Sequence, residues 1–205
     1  MKKILLILQL FAFTPVISQQ TLPTGRQAKL PVIISPKFKK DTISIAKSGA
    51  VPDGNTLNTK SINNAIDALS KKGGGVVLIP SGLWLTGPIV LKNNINLHLA
   101  TGSTLLCTKD FDQYPLISAN WEGLPQMRNQ SPISATGAIN IAITGKGIID
   151  GNGDAWRMVK KDKLNETQWN KLVARGGLLS DDKETWYPSE QSLKGSKMPA
   201  NPGAI

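Results

Sequence analysis

The chain has 205 residues, 24 Lys+Arg against 14 Asp+Glu, a formal net charge of +10, and 40% hydrophobic but only 5% aromatic residues. That balance argues against a disordered tail or a membrane-embedded protein, and nineteen Gly with thirteen Pro argue against a helical bundle, because both residues break long helices. A single cysteine, Cys107, excludes an internal disulfide, so the fold rests on packing.

In chain order, Lys2-Lys3, an apolar run over residues 4–13 broken only by Gln9, and the small-residue ending Val16-Ile17-Ser18 predict a signal peptide over residues 1–18. It is too short to span a bilayer as a stop-transfer helix. Export to the periplasm or the medium follows, without a lipoprotein anchor, since no Cys stands just after that point. Residues 19–41 are rich in Pro, Thr and Lys and read as a linker carrying a short extended piece, Val32-Ile33-Ile34. Its basic patches are those of a linker rather than a nucleic-acid arm.

Order begins at residue 42. Thr42-Ile43-Ser44-Ile45 alternates like a strand. Ile62, Ala65, Ile66 and Leu69 then fall at helical spacing behind Thr59, a candidate N-cap, and Gly73-Gly74-Gly75 stops the helix. The pattern predicts one amphipathic helix over 60–71. Beyond it the chain repeats itself. Val77, Ile79, Gly82 and Leu85 recur twenty residues later as Leu97, Leu99, Gly102 and Leu105. A third copy, Ile141, Ile143, Gly145 and Ile148, stands 44 residues further at its first two positions, an interval of two repeats, or of one repeat plus a loop over 110–136. Period-2 alternation with Gly at the corner every twenty residues is what a parallel β-helix rung requires, with alternate side chains filling the interior. Val77, Ile79, Leu97, Leu99, Ile141 and Ile143 are the predicted inward positions. Residues 157–205 hold no repeat and read as a long insertion loop.

These residues resemble a known family. Ser48-Gly49-Ala50-Val51-Pro52-Asp53-Gly54, Asn58-Thr59-Lys60-Ser61-Ile62 and Gly73-Gly74-Gly75-Val76-Val77-Leu78-Ile79-Pro80-Ser81-Gly82 look like the opening of pectin-degrading β-helix proteins. Leu85-Thr86-Gly87-Pro88-Ile89, Leu97-His98-Leu99 and the run from Ile143 to Gly153 narrow the resemblance to glycoside hydrolase family 28, the polygalacturonases. The resemblance implies an all-β, right-handed parallel β-helix of the pectin-lyase-like kind with an amino-terminal capping helix, and rungs over 42–156. It implies inverting hydrolysis of galacturonosyl bonds in pectin, an acidic polysaccharide as partner, and no cofactor or metal. The family carries Asn-x-Asp, Gly-Asp-Asp, Gly-His-Gly and Arg-x-Lys elements in rungs downstream of its Asp-Gly-x-Gly rung, and none follows that rung here; the one Asn-x-Asp string, Asn152-Gly153-Asp154, overlaps the rung itself. By resemblance, then, the chain is cut before its catalytic rungs, is inactive alone, and no catalytic, cofactor or metal residue is assigned in it.

The chemistry of the remaining candidates points the same way. Inverting hydrolysis needs two carboxyls roughly 6.5–9.5 Å apart, and Asp150 with Asp154 form the best local pair, read as a turn in which Asp side chains bond backbone amides. Asp150-x-Asn152-x-Asp154 mimics a calcium loop, but Ala155 stands where the sharp-turn Gly belongs and Lys161 where the bidentate Glu belongs, so calcium is rejected. Asp181-Asp182 sits in a polar stretch without strand alternation. His98 lacks ligand partners and reads as a strand histidine. Trp84, Trp121, Trp156, Trp169 and Trp186 either stack on sugar rings or pack under loops, and the basic charge would steer an acidic polymer. The alternatives are a pectate-lyase-like enzyme using calcium and a basic residue, and a non-catalytic carbohydrate-binding β-helix.

Overall fold

The structure, a computed structural model, describes residues 33–197. The predicted signal peptide and most of the predicted linker lie outside the described residues.

Helix α1 (Thr59–Lys71) forms because Ile62, Ala65, Ile66 and Leu69 make one apolar stripe, and all four are buried. Its end is a glycine stop of the Schellman kind: the Gly74 amide reaches back to the Leu69 carbonyl at 2.8 Å and the Gly73 amide to that of Ser70 at 2.9 Å, with φ of 109° and 92°. Such left-handed geometry suits glycine. The start differs from the sequence reading. Asn58, not Thr59, is the N-cap, and its side chain does not cap the helix. Instead the buried Asn58 amide bonds the Val51 N–H and the carbonyls of Val51, Thr56 and Leu85, while Thr59 Oγ1 accepts the Gly87 amide at 2.6 Å.

The strands fall into parallel ladders. β1 (Thr42–Ser44), β2 (Gly75–Ile79), β5 (Ile95–Leu99) and β10 (Ala142–Gly145) pair in the order β1-β2-β5-β10. β3 (Gly82–Thr86), β6 (Ser103–Cys107) and β11 (Ile148–Asp150) make a second ladder, β11-β6-β3, and β4 (Ile89–Val90) with β9 (Ile133–Ser134) a third. Two passes, β2-β3-β4 and β5-β6-β9, each lay one strand on every ladder, while β1 joins the first ladder alone and β10 and β11 extend the first two. Val77 lies on Leu97, Ile79 on Leu99, Trp84 on Leu105 and Thr86 on Cys107, and all of these side chains are buried. Identical faces in register exclude water between passes, and that apolar burial is the main stabilising term.

Two expectations need correction on the third pass. Leu97 lies opposite Ile143, not Ile141, and Leu99 opposite Gly145, so the true register is two residues beyond the sequence alignment. The reason is polar. Asn94 and Asn140 both take left-handed φ, 60° and 54°. They join through Asn140 Nδ2 to Asn94 Oδ1 at 2.9 Å, and Asn93 Oδ1 takes the Ile139 amide at 2.8 Å. That corner pairing sets where β10 starts. At its end Gly145 (φ 104°) is obligatory, since a Cβ there would collide with the Leu99 carbonyl oxygen. The second correction is burial: Ile141 packs partly buried on the core, but Ile143 is 45% exposed, because among the described residues no strand pairs with its far side.

The interval between β6 and β10 is one repeat plus a loop, because β9 completes the second pass. The loop carries an antiparallel hairpin of β7 (Leu116–Trp121) and β8 (Leu124–Asn129). It turns at Glu122 and Gly123, both with positive φ, the backbone that a two-residue hairpin demands. The stretch read as an insertion loop holds regular structure over its described residues. β12 (Val159–Lys160), β13 (Leu178–Leu179) and β14 (Thr185–Tyr187) form an antiparallel sheet ordered β12-β14-β13, accompanied by α2 (Glu166–Val173) and α3 (Glu190–Lys197). An Asn165–Gln168 capping box starts α2.

Candidate functional site

His98 lies half-buried on β5. The hydroxyl proton of Thr144 goes to Asn96 Oδ1 at 2.8 Å, so Thr144 Oγ1 accepts from His98 Nδ1–H, also at 2.8 Å. This leaves Nε2 as the acceptor nitrogen. The arrangement joins two passes of the first ladder and brings no carboxylate to the imidazole.

Asp150 ends β11 and accepts the Asn152 amide at 2.8 Å, while Asn152, at φ 52°, donates from Nδ2 to the Cys107 carbonyl at 3.0 Å. Asp154 lies exposed in the short 3-10 turn Gly153–Trp156. Asp182 Oδ1 accepts the Ser180 hydroxyl and, at 3.0 Å, the Glu184 amide, so the second adjacent-aspartate candidate shapes the β13–β14 turn. Among the described residues no group of three or more His, Cys, Asp or Glu converges to hold a metal ion. Burial first, and the nearby Asp150 second, push the Cys107 thiol up from its ordinary value. It is a packed thiol rather than a nucleophile.

The tryptophans divide. Trp84 is buried and donates to the Pro80 carbonyl at 2.7 Å, Trp169 is buried on α2, and Trp186 donates to the Gly176 carbonyl. The Trp121 side chain lies outside what is described. Trp156 meets Phe111 and Tyr114 edge to face, at 4.6 and 4.9 Å between ring centroids, and borders a cavity of about 540 Å³.

That cavity opens between the end of β8, the turn after β11, the end of β14 and α3, with Tyr114, Arg128, Asn129, Tyr187 and Ser192 also in its wall. Helix α3 is held over it by polar bonds. Gln126 donates to the Ser196 carbonyl at 3.1 Å, Asn129 Nδ2 to that of Gln191 at 3.3 Å, and Gln191 Nε2 to that of Tyr114 at 2.8 Å. Asn129 Oδ1 is buried and accepts no hydrogen bond. Tyr114 donates to the Thr108 carbonyl at 3.0 Å. Burial, then the neighbouring Cys107 and Asp110, push its phenol up to about 12. Of this cavity the sequence reading named Trp156 and, inside the run from Ile143 to Gly153, Gly151. The other wall residues come from four separated segments with no shared period, so only folding unites them.

Comparison with known proteins bears on the whole arrangement. The chain is 38% identical over 152 residues to an exo-poly-alpha-D-galacturonosidase of Dickeya chrysanthemi, covering 67% of this chain and 25% of that protein. Among solved structures it is similar to a hyperthermoactive exopolygalacturonase from Thermotoga maritima, with a TM-score of 0.57 at 35% identity over 60% of this chain and 28% of that one. It is also similar to the family 28 exopolygalacturonase of Yersinia enterocolitica, with a TM-score of 0.52 at 30% identity over 67% of this chain and 30% of that one. No family model matches the chain. The chain spans about a quarter of the length of the curated relative and under a third of each solved neighbour.

Proposed function

Because this chain is a partial sequence like those of glycoside hydrolase family 28, we propose that the whole protein hydrolyses galacturonosyl bonds of pectin. The observation that carries the reading is the 38% identity to an exo-poly-alpha-D-galacturonosidase over two thirds of the chain. Residues 42–156 are then the amino-terminal rungs of a right-handed parallel β-helix with α1 covering its first rung. The parallel ladders support this, since β2-β3-β4 and β5-β6-β9 are successive passes that each add one strand to each of the three sheets. Residues 157–205 are an insertion between rungs.

In this reading the protein is exported and acts by inversion, with one carboxylic acid protonating the leaving oxygen and one carboxylate activating water. Neither role falls to the aspartates described above. Asp150 and Asp182 shape turns, and Asp154 lies exposed in a short 3-10 turn. The catalytic pair is assigned to rungs outside this chain. No helix among the described residues is long and apolar enough to cross a membrane.

The test is an assay of the whole protein and of the 205-residue chain on polygalacturonate, with reducing sugar measured and the first-formed anomer followed by proton NMR. The whole protein should release galacturonate as the β-anomer and the 205-residue chain none. An inert whole protein, or retention of the α-anomer, would overturn the reading.

A further inference from the structure

What the cavity under α3 can hold depends on which polar atoms of its wall remain open. Its volume of about 540 Å³ falls within the roughly 300–1,000 Å³ of small-molecule sites. Arg128 already has an interaction partner, and Asn129 Oδ1 is shut off from solvent, so neither anchors a ligand. The Tyr114 hydroxyl donates to the Thr108 carbonyl and the Ser196 hydroxyl to that of Leu193. Tyr187 and Ser192 differ. They are only 6% and 8% exposed, and neither hydroxyl bonds another described residue. Among the described residues Asn129 Oδ1 alone is a buried, unbonded side-chain atom with no accessible surface. Both hydroxyls therefore keep some surface, and both residues line the cavity.

That wall narrows the ligand in three steps. It holds no Asp, Glu, His, Lys or Cys, and a charge buried without a partner is costly, so the ligand is uncharged. Its apolar part is aromatic and sulfur-bearing: Trp156, held by edge contacts to Phe111 and Tyr114, stands with Tyr187 and Met158, and both kinds of side chain favour an aromatic ring. Helix α3 contributes only Ser192, Gly195 and Ser196, small residues at spacings of three and four that share one helix face and leave room for a flat ring. The last step is a count. The buried part of the wall offers two open hydroxyls, each able to donate and accept. A sugar, with a hydroxyl on nearly every carbon, would leave most of its own unmet at a cost, whereas an aromatic ring with one or two hydroxyls matches them.

We propose that this cavity binds an uncharged phenolic ring, lying against Trp156, with its hydroxyl groups exchanging hydrogen bonds with Tyr187 and Ser192. Nothing in the pectin reading enters this choice, because the wall alone excludes charge and limits the number of polar groups. Tyr187 belongs to β14 and Ser192 to α3, so the two hydroxyls come together only when the later stretch of the chain has folded.

The experiment is saturation-transfer NMR on the 205-residue chain with p-hydroxybenzyl alcohol, p-ethyltoluene, p-hydroxybenzoate and D-galactose as probes. The alcohol should give a saturable signal that galactose does not displace. p-Hydroxybenzoate, which puts a carboxylate in place of the alcohol group, should bind about ten-fold more weakly or worse. Tyr187→Phe and Ser192→Ala each remove one hydroxyl and little else, and each should weaken binding of the alcohol about 2–10-fold. Binding of p-ethyltoluene, which has the shape without the hydroxyls, should not fall in either variant, whereas a merely structural role for the two residues would weaken both ligands. If Tyr187→Phe does not fold, as judged by its melting curve, Ser192→Ala decides alone. No saturable binding of the alcohol, displacement by galactose, equal binding of p-hydroxybenzoate, or an affinity for the alcohol unchanged in both variants would overturn the proposal.

Discussion

Residues 42–108 and 109–197 are built on different principles. Every residue of the continuous buried core lies between Ile45 and Leu105, where ladders in register stack Val77 on Leu97 and Trp84 on Leu105. Apart from β9, β10 and β11, which continue the ladders, the later stretch buries Tyr114 and Tyr187 beside one cavity and Trp169 on α2, and side chains bonding backbone carbonyls join it, as Gln126, Asn129 and Gln191 do around α3. Stacked passes cover one another and leave no space. Elements joined by a few polar bonds leave a cavity with a defined wall. The first region is thus the stable scaffold, and the second is where a ligand site can form.

The largest effect that would test this contrast comes from the interior of the first ladder. Leu97→Ala should cost about 2–5 kcal/mol in urea unfolding, because Leu97 is completely buried between its neighbours in adjacent passes. Ile143→Ala, at the same ladder position but 45% exposed, should cost about 1 kcal/mol or less. Equal costs would mean that stacking does not govern burial here.

Next in size is the polar anchor of the scaffold. Asn58→Ala removes the partner of the part-buried Val51 amide and of the carbonyls of Val51, Thr56 and Leu85 and should cost about 1–3 kcal/mol. Gln191→Ala in the later region should cost about 0.5–1.5 kcal/mol. By hydrogen exchange the second variant should open the amides of α3 and leave those of β5 protected. Loss of protection in β5 would show that the two regions unfold as one.

A smaller effect sits at the seam between the regions. Tyr114 should ionise near pH 12, read at 295 nm as the difference between the parent and Tyr114→Phe. Its folded value lies above the unfolded one, about 10. The phenol's contribution is therefore complete below pH 10 and is lost as the pH rises from 10 towards 12. Cys107 belongs to the same seam. It should resist Ellman's reagent at pH 8 in the folded chain and react fully in urea, since it is buried and its thiol is shifted up.

The smallest effect is on the exposed turn before α1. The amide and hydroxyl of Thr56, then the Asn55 amide, hold the Asp53 carboxyl below its ordinary value. The stability it adds is present above about pH 4 and is lost as the pH falls through the lower folded value. Asp53→Asn should therefore flatten the acid side of the melting-temperature profile slightly and leave neutral pH almost unchanged. A large drop at neutral pH would show a role beyond the turn.

Local periodicity carried much of the first region. Ile62, Ala65, Ile66 and Leu69 announce α1, Gly73 and Gly74 its end, and the alternation of Val77, Ile79, Leu97 and Leu99 the buried face, because each depends on near neighbours in the chain. The register of the third pass was not legible. It rests on Asn140 meeting Asn94 across 46 residues, and no period records a contact made after an excursion of that length. The exposure of Ile143 depends on whether another strand covers it, which is a property of the assembled sheets.

The hairpin turn at Glu122-Gly123 lacks the Asn-Gly or Asp-Gly signal, and the antiparallel strands β12, β13 and β14 are too short to show a period. The cavity is the extreme case. Tyr114, Asn129 and Trp156 stand far apart in the chain and line one cavity only in the folded structure. Chain-local chemistry therefore settled the scaffold and its resemblance, while long-range polar pairing and the meeting of separate elements decided the register, the exposed edge and the proposed site.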